Sequence, residues 1–217
     1  PFTLLICWNI YTRNSDAKWT KADFLKLCII LLPVALCGIY YAFFACYLIF
    51  VTFILRYFKD SYVSKQALAS IVTIITFLGI AMLPTLVMKF IYGSNSESPV
   101  RWPVDAETYG LKISQFFIPN QGHGISLLEK LLNVYSNAPV PNEGTEYLGI
   151  VGAIGLLLCF LLLLGFQKKD VRLQLIGKLN LFAILLGTVG GIGSLFALTI
   201  SAQIRAYNRI SVFCGFF

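Results

Sequence analysis

The chain has 217 residues, of which 58% are hydrophobic and 12% are charged, and its mean hydropathy is +0.78. Because an average soluble domain carries about 25% charged residues, this composition excludes an ordinary soluble domain and predicts a polytopic membrane protein. The formal net charge of +7 does not indicate nucleic acid as a partner, since the basic residues cluster in short loops, as in the cytoplasmic loops of membrane proteins. The predicted partner is the lipid bilayer.

The predicted fold is all-α: a bundle of transmembrane helices that forms a single membrane domain over residues 1–217. Apolar runs of about 20 residues predict the complete crossings. In chain order the predicted spans are 1–12 (partial), 21–37, 39–58, 67–92, 147–166, 179–200 and 210–217 (partial). The sequence has no initiator methionine and starts and stops inside apolar runs, so we expect a fragment of a longer chain.

The apolar run 24–58 is too long for one straight span and short for two, so the charges of the loops decide how often it crosses. Basic residues gather at 13–26, 56–65 and 168–178. These three clusters can share the cytoplasmic side only if the run crosses twice. We therefore expect two short helices joined at Gly38, the first of them starting at a capping box made by Thr20 and Asp23.

This topology places residues 93–146 in one long loop on the outer side. Within the loop, the stretch ISLLEKLLNVY has apolar residues at helical spacing and predicts a short helix. Such a helix would lie on the outer membrane surface, and packing against neighbouring spans is the alternative. A loop of this length and mixed composition favours a working surface over a simple connector.

Two arginines, Arg205 and Arg209, follow the charge-free span 179–200 and precede the last apolar run. Positions four apart lie on one face of a helix, and the amides at a helix N-terminus attract anions. With Tyr207 and Asn208 between them, the pair favours phosphate binding. The alternative is that the arginines anchor the helix at the lipid interface by snorkelling.

The densest polar stretch of the outer loop is RWPVDAETYGLKISQFFIPNQGHG, which contains Arg101, Asp105, Glu107, Lys112 and His123. A carboxylate beside a basic side chain can act as a general base or orient a sugar hydroxyl, and a histidine can donate to a phosphate. For any one of these residues alone, ordinary solvated loop chemistry is the alternative. Together with the two arginines they predict a polar site that faces outward at the membrane surface.

No metal site is predicted. His123 is the only histidine, and no cysteine or histidine pair has the spacing of metal ligands. The cysteines lie in or at the ends of apolar spans, as small hydrophobic residues do. Phosphate-loop, nucleophile-elbow and zinc-hydrolase motifs are absent from the sequence.

Five blocks follow one another in the order ETYGLKISQFFIP, GHG, LNVY, NEGTEYLGIVGAIGLL and IRAYNRISVF. In these blocks the chain resembles bacterial polytopic proteins of the glycosyltransferase C superfamily, and more narrowly the membrane regions of sugar translocases and phosphoglycerol transferases. The resemblance covers residues 38–217. It implies a multi-pass protein of the bacterial inner membrane, which transfers a sugar or related group from a polyprenyl-phosphate carrier to an envelope acceptor on the outer face.

The resemblance also implies roles for particular residues. Positions that recur in the superfamily are matched by Glu107, Lys112, His123, Arg205, Asn208 and Arg209. Glu107 and His123 are the catalytic candidates, and Lys112, Arg205, Asn208 and Arg209, with Arg101 of the same loop, are the candidates for binding substrate or phosphate. The main catalytic acid of the superfamily is expected upstream of Pro1. Gly124 stands where the pattern usually has a basic residue after the histidine.

Two other functions stay open. The first is a flippase or transporter of lipid-linked sugars, a class that places charged residues and helix breaks at mid-membrane. The second is a non-catalytic membrane platform for a phosphoglycerol transferase-type domain elsewhere in the protein. The nearly charge-free spans favour the transferase. The residues indicate no cofactor, and assistance by a divalent metal ion is left open.

Overall fold

The computed structural model describes residues 1–13, 19–61, 64–93, 100–120, 122, 124–136, 146–166 and 170–217. Across these residues the chain is helical and forms no strand, and its single β-type contact is an isolated bridge between Leu111 and Thr188. The all-α prediction is therefore confirmed. The helices form two compact units, Pro1–Val100 and Arg101–Phe217.

The first unit consists of α1 (Phe2–Thr12), α2 (Lys21–Leu36), α3 (Ile39–Asp60) and α4 (Lys65–Tyr92). Helix α2 starts at the predicted capping box: the Thr20 hydroxyl accepts from the Asp23 amide at 3.2 Å, and the Asp23 carboxylate accepts from the Thr20 amide at 3.1 Å. Gly38 separates α2 from α3 at φ 113° and ψ 158°, a conformation that is essentially confined to glycine. The predicted pair of helices joined at Gly38 is confirmed.

Two helices of this unit are long and apolar enough to cross a membrane, namely α3 with 22 residues and α4 with 28. At 1.5 Å per residue they measure about 33 and 42 Å, against a hydrocarbon thickness of about 30 Å. The second half of α4 is exposed on all sides, as suits a helix whose apolar surface meets lipid. These two helices indicate association with a membrane.

The core of the first unit lies where α1 packs on α3, α2 packs on α4, and α3 packs on α4. Ile10, Phe44 and Ile74 are fully buried there. Apolar burial of this kind stabilises the unit through close packing of many side-chain atoms.

A buried arginine links the end of α1 to α3. The Arg56 guanidinium donates to the carbonyl oxygens of Tyr11 at 2.6 Å and Arg13 at 2.9 Å, and it pairs with Asp60 at 3.0 Å. The last carbonyl groups of a helix have no partner within the helix. The fixed fork of the guanidinium can satisfy two of them at once, and a lysine cannot reproduce that geometry.

The described helices of the second unit are all shorter than α3 and α4. They are α5 (Asp105–Thr108), α6 (Ser126–Ser136), α7 (Gly149–Leu161), α8 (Val171–Gly187), α9 (Ile192–Thr199) and α10 (Ser211–Phe216). Two 3-10 turns, Ile113–Phe116 and Tyr207–Ile210, and a π-turn, Leu162–Phe166, complete the set. The helix predicted within ISLLEKLLNVY is confirmed as α6, and its place on the membrane surface stays a prediction.

One predicted span differs from the structure. Where the sequence predicts a crossing at 179–200, the chain forms α8, which starts at Val171 and ends at Gly187, and then α9, which starts at Ile192. The run is apolar but contains a cluster of glycines. One of them, Gly190, has a φ angle of 72°, which lies outside the helical region. The span is therefore broken between Gly187 and Ile192.

Candidate functional site

The break between α8 and α9 is held by the loop segment that contains Glu107. The Leu111 amide donates to the Gly187 carbonyl at 2.7 Å, and the Val189 amide donates to the Leu111 carbonyl at 3.2 Å. Glu107 adds a third contact, because its Oε2 accepts from the Gly190 amide at 2.8 Å. Backbone groups that a continuous helix would pair internally are thus paired with the loop.

Glycines permit this close approach. A Cβ atom at Gly110 would lie 2.9 Å from the Val189 side chain. A Cβ atom at Gly193 would lie 2.6 Å from the Tyr207 ring. Because such distances are shorter than carbon atoms tolerate, any larger residue at Gly110 or Gly193 would push the segments around the break apart.

Arg205 is held against the same loop segment by a charge and an aromatic ring. Its guanidinium lies 5.0 Å from the centre of the Tyr109 ring and 3.8 Å from the Asp105 carboxylate. Both neighbours attract a cation. The Arg205 side chain keeps 35% of its surface exposed, so part of the guanidinium remains accessible to a ligand.

Asn208 is buried and hydrogen-bonded to two other segments. Its backbone amide donates to the Tyr109 carbonyl at 3.2 Å, and its side-chain Nδ2 donates to Oε1 of Glu146 at 2.6 Å. Asn208 is 6% exposed and Glu146 is 5% exposed. A carboxyl group buried to this degree needs hydrogen bonds to remain stable, so this pair ties the residues before α7 to the segment around Asn208.

These contacts define one group of side chains, which we call the polar cluster: Asp105, Glu107, Tyr109, Glu146, Arg205 and Asn208. Four of the predicted site residues belong to it: Asp105, Glu107, Arg205 and Asn208. Of the other predicted residues, Arg101, Lys112 and Arg209 lie in the same or adjoining segments of the second unit.

Arg101 is exposed and donates to the main-chain carbonyl of Gln203 at 2.8 Å, so it bonds to the segment that leads to Arg205. Lys112 is half-buried and follows directly after the bridge residue Leu111. Arg209 is exposed within the 3-10 turn. The remaining candidate, His123, lies outside the described residues.

The prediction that Arg205 and Arg209 share one face of a helix is wrong. Arg205 precedes the 3-10 turn, and Ala206 has non-helical angles of φ −84° and ψ 72°. The Tyr207 amide donates to the Arg205 carbonyl at 3.0 Å, which closes a tight turn at this point. The contacts of Arg205 and Asn208 with the loop replace the helical hydrogen bonds that the local spacing suggests.

The sequence does not predict that Tyr109 and Glu146 belong to the site. Tyr109 stands between Glu107 and Lys112 in the motif ETYGLK, and its ring and its carbonyl both serve the polar cluster. Glu146 is the last acid before the apolar helix α7. An acid at that boundary is a weak sequence signal, since most such acids are solvated, and only its burial against Asn208 distinguishes it.

The polar cluster combines a carboxylate with a cation on a partly exposed surface. The Oε2 atom of Glu107 accepts a hydrogen bond from the Gly190 amide, whereas its Oε1 atom accepts none from the described residues. A carboxylate oxygen of this kind can accept a proton or a hydrogen bond from a hydroxyl group, and a guanidinium can hold a phosphate through two parallel hydrogen bonds. Among the residues described by the structure, no group of three His, Cys, Asp or Glu side chains is arranged to hold a metal ion.

The residues that the structure describes form helices and no strand, and two of these helices are long and apolar enough to cross a membrane. Residues 1–213 match the family described as a domain of unknown function, DUF6311, and the chain belongs to that family. Neither a curated protein nor a solved structure matches the chain.

Proposed function

We propose that this protein is a membrane-embedded transferase of the glycosyltransferase C type. It moves a sugar or related group from a polyprenyl-phosphate carrier to an envelope acceptor on the outer face of the bacterial inner membrane. One observation carries the proposal: Glu107 bonds to the break at Gly190, and Arg205 lies against Asp105 and Tyr109 of the same loop segment. Glu107 and Gly190, which are joined by a hydrogen bond, are 83 residues apart in the sequence. Arg101 and Gln203, which are also hydrogen-bonded, are 102 residues apart.

The chemistry follows from the two side chains. The bond between the anomeric carbon of the sugar and the phosphate oxygen breaks while a new bond forms from that carbon to the acceptor oxygen. Arg205 donates to the phosphate and neutralises the charge that develops on the leaving group. Glu107 Oε1 accepts the hydrogen bond of the acceptor hydroxyl and takes its proton. Asp105 and Tyr109 hold the guanidinium in place.

The proposed membrane arrangement is the multi-pass topology predicted from the loop charges, with the three basic clusters inside. In that arrangement residues 93–146 lie outside, α6 rests on the outer surface, and the polar cluster stands at the outer interface. The position suits a lipid-linked substrate, whose carrier stays in the bilayer while its phosphate and sugar reach the interface.

A flippase is the second candidate, and the break between α8 and α9 favours it, because transporters use broken helices to bind substrate with free backbone groups. Here the break is already paired with the loop: the amides of Val189 and Gly190 donate to Leu111 and Glu107. Backbone groups engaged in this way are not offered to a substrate. The transferase therefore fits the contacts around the break better.

The experiment is transfer of a labelled sugar from polyprenyl phosphate by the full-length protein in proteoliposomes. Glu107→Gln should lower the transfer rate by about 100-fold or more, the usual effect of losing a general base. Glutamine can still accept from Gly190, so the fold should persist. The matched control is Glu129→Gln, which changes an exposed acid of α6 in the same loop and should leave the rate unchanged. Equal rates for the two variants would refute the assignment, and translocation of the lipid without transfer would establish the flippase.

A further inference from the structure

A cavity of about 180 Å³ lies in the first unit between α1, α2 and α4. We call it the α2 cavity. Its lining includes apolar residues such as Ile6 of α1 and Leu27 of α2, and residues with polar groups such as Trp19, Lys26 and Gln66. A cavity lined by both kinds of residue fits a ligand that has both kinds of surface. The cavity shares no residue with the polar cluster of the second unit.

Two polar atoms of the residues that line the α2 cavity lack hydrogen bonds. Trp19 Nε1, a donor, and Gln66 Oε1, an acceptor, are both buried and have no partner among the described residues. A buried polar atom without a partner destabilises a fold, and native proteins leave few of them. After a small rotation of each side chain towards the cavity, a bound molecule that both accepts and donates hydrogen bonds would satisfy the pair.

The charges around the cavity select an anion. Arg13 and Asp23 form an ion pair at 3.3 Å, so their charges largely cancel. Lys26 lines the same cavity and is exposed, and it forms no ion pair within the described part of the chain. Among the described residues that line the cavity, one net positive charge therefore remains, at Lys26, where an anionic group would be attracted.

We propose that the α2 cavity binds the headgroup of an anionic phospholipid that also bears hydroxyl groups, as a phosphatidylglycerol does. Lys26 and Trp19 Nε1 donate to the phosphodiester oxygens, Gln66 Oε1 accepts from a headgroup hydroxyl, and the start of an acyl chain lies on Ile6 and Leu27. The cavity lies beside the first basic loop, which the sequence places on the cytoplasmic side. Basic pockets between helices on that side are suited to anionic headgroups.

The test is binding of lipid to the full chain in detergent, followed by native mass spectrometry and by the thermal midpoint. Phosphatidylglycerol should bind at least about 5-fold more tightly than phosphatidylcholine, in keeping with one charge-assisted contact, and should raise the midpoint. Soluble glycerol phosphate should bind far more weakly, because it lacks the acyl chain. Equal binding of phosphatidylcholine, or glycerol phosphate binding as tightly as the lipid, would overturn the proposal.

Variants locate the binding within the cavity. Lys26→Gln should weaken phosphatidylglycerol binding by about 5-fold, whereas Lys21→Gln should not, although it removes an equal charge from the same helix outside the cavity. Trp19→Phe removes only the indole donor and keeps a ring beside Phe24, whose centre lies 5.9 Å away. Its lipid-free midpoint should be unchanged or higher, because an unpaired donor is lost, while its response to phosphatidylglycerol should fall. Wild-type binding in both Lys26→Gln and Trp19→Phe would contradict the site.

Discussion

The two units of the molecule use apolar sequence in different ways. In the first unit, the apolar run 24–58 is divided only by the conformation of Gly38 itself, and the helices α3 and α4 are each long enough to span a membrane. In the second unit, a run of similar character is divided into α8 and α9, and loop residues bond to the break. Apolar length predicts a continuous helix only where no other segment competes for the backbone hydrogen bonds.

The difference also separates stability from function. The first unit is held by helix packing and by one buried arginine that closes the end of α1. The second unit is held by helix packing and, around the break, by side chains of the polar cluster, which include the residues that we propose to act in transfer. We therefore expect substitutions in the polar cluster to affect both stability and transfer, and those in the first unit to affect stability or lipid binding but not the transfer step itself.

The largest expected effect comes from Asn208→Leu, which removes the donor that Glu146 Oε1 uses. Leaving a buried carboxylate short of a hydrogen bond should lower the free energy of unfolding by about 3 kcal/mol. Hydrogen exchange should speed up at the Gly190 and Leu111 amides and stay unchanged in α3. The control is Asn120→Leu at an exposed position, which should change neither quantity. An equal loss of protection from hydrogen exchange in both units would show that the polar cluster does not stabilise the second unit locally.

The next effect in size concerns Arg56→Lys in the first unit. Lysine keeps the charge but cannot reach the Tyr11 and Arg13 carbonyls together, so the free energy of unfolding should fall by about 2 kcal/mol. Asp60→Asn should cost less than about 1 kcal/mol, because Asp60 is partly exposed and its ion pair is screened by water. If the aspartate variant were the more damaging, the ion pair and not the helix end would explain the burial of Arg56.

The smallest expected effects come from alanine substitutions at two glycines of the first unit. The two substitutions should change the free energy of unfolding in opposite directions. Gly38→Ala should lower the free energy of unfolding by about 1 kcal/mol, because its φ of 113° disfavours any side chain. Gly79→Ala should raise it by up to about 1 kcal/mol, because Gly79 lies inside α4 and a Cβ atom there meets nothing within 4 Å. Thermal midpoints of the two variants on opposite sides of the wild type would bear this out, and midpoints on the same side would not.

Much of the first unit could be predicted from sequence because its signals are local. The capping box of Thr20 and Asp23, the glycine at 38 and the charges of the loops act within a few residues of the elements that they shape. The break at Gly187 to Ile192 could not be predicted in the same way. The glycines of the run permit a break, and the bonding of Leu111 and Glu107, which lie in a distant part of the chain, fixes it in the structure.

The candidate site shows the same contrast between local sequence signals and contacts made by distant residues. Glu107, Arg205 and Asn208 could be selected because polar residues beside apolar spans are conspicuous and because their motifs resemble a known superfamily. Their geometry could not be predicted, since a spacing of four residues suggests a helix, whereas Arg205 is drawn to Tyr109 and Asp105. Glu146 carried no sequence signal beyond its position before α7.

The most direct test of the central claim, that the polar cluster holds the phosphate of a lipid carrier, is binding of a polyprenyl phosphate to the intact protein with Arg205 replaced. Arg205→Lys should weaken binding by roughly 1 to 2 kcal/mol, because a lysine does not reproduce the planar, two-point contact, and Arg205→Ala should weaken it further. Arg172→Lys, at an exposed position near the start of α8, should bind as the wild type does. Unchanged binding in the double variant Arg205→Ala, Arg209→Ala would contradict phosphate recognition and leave these arginines as interfacial anchors.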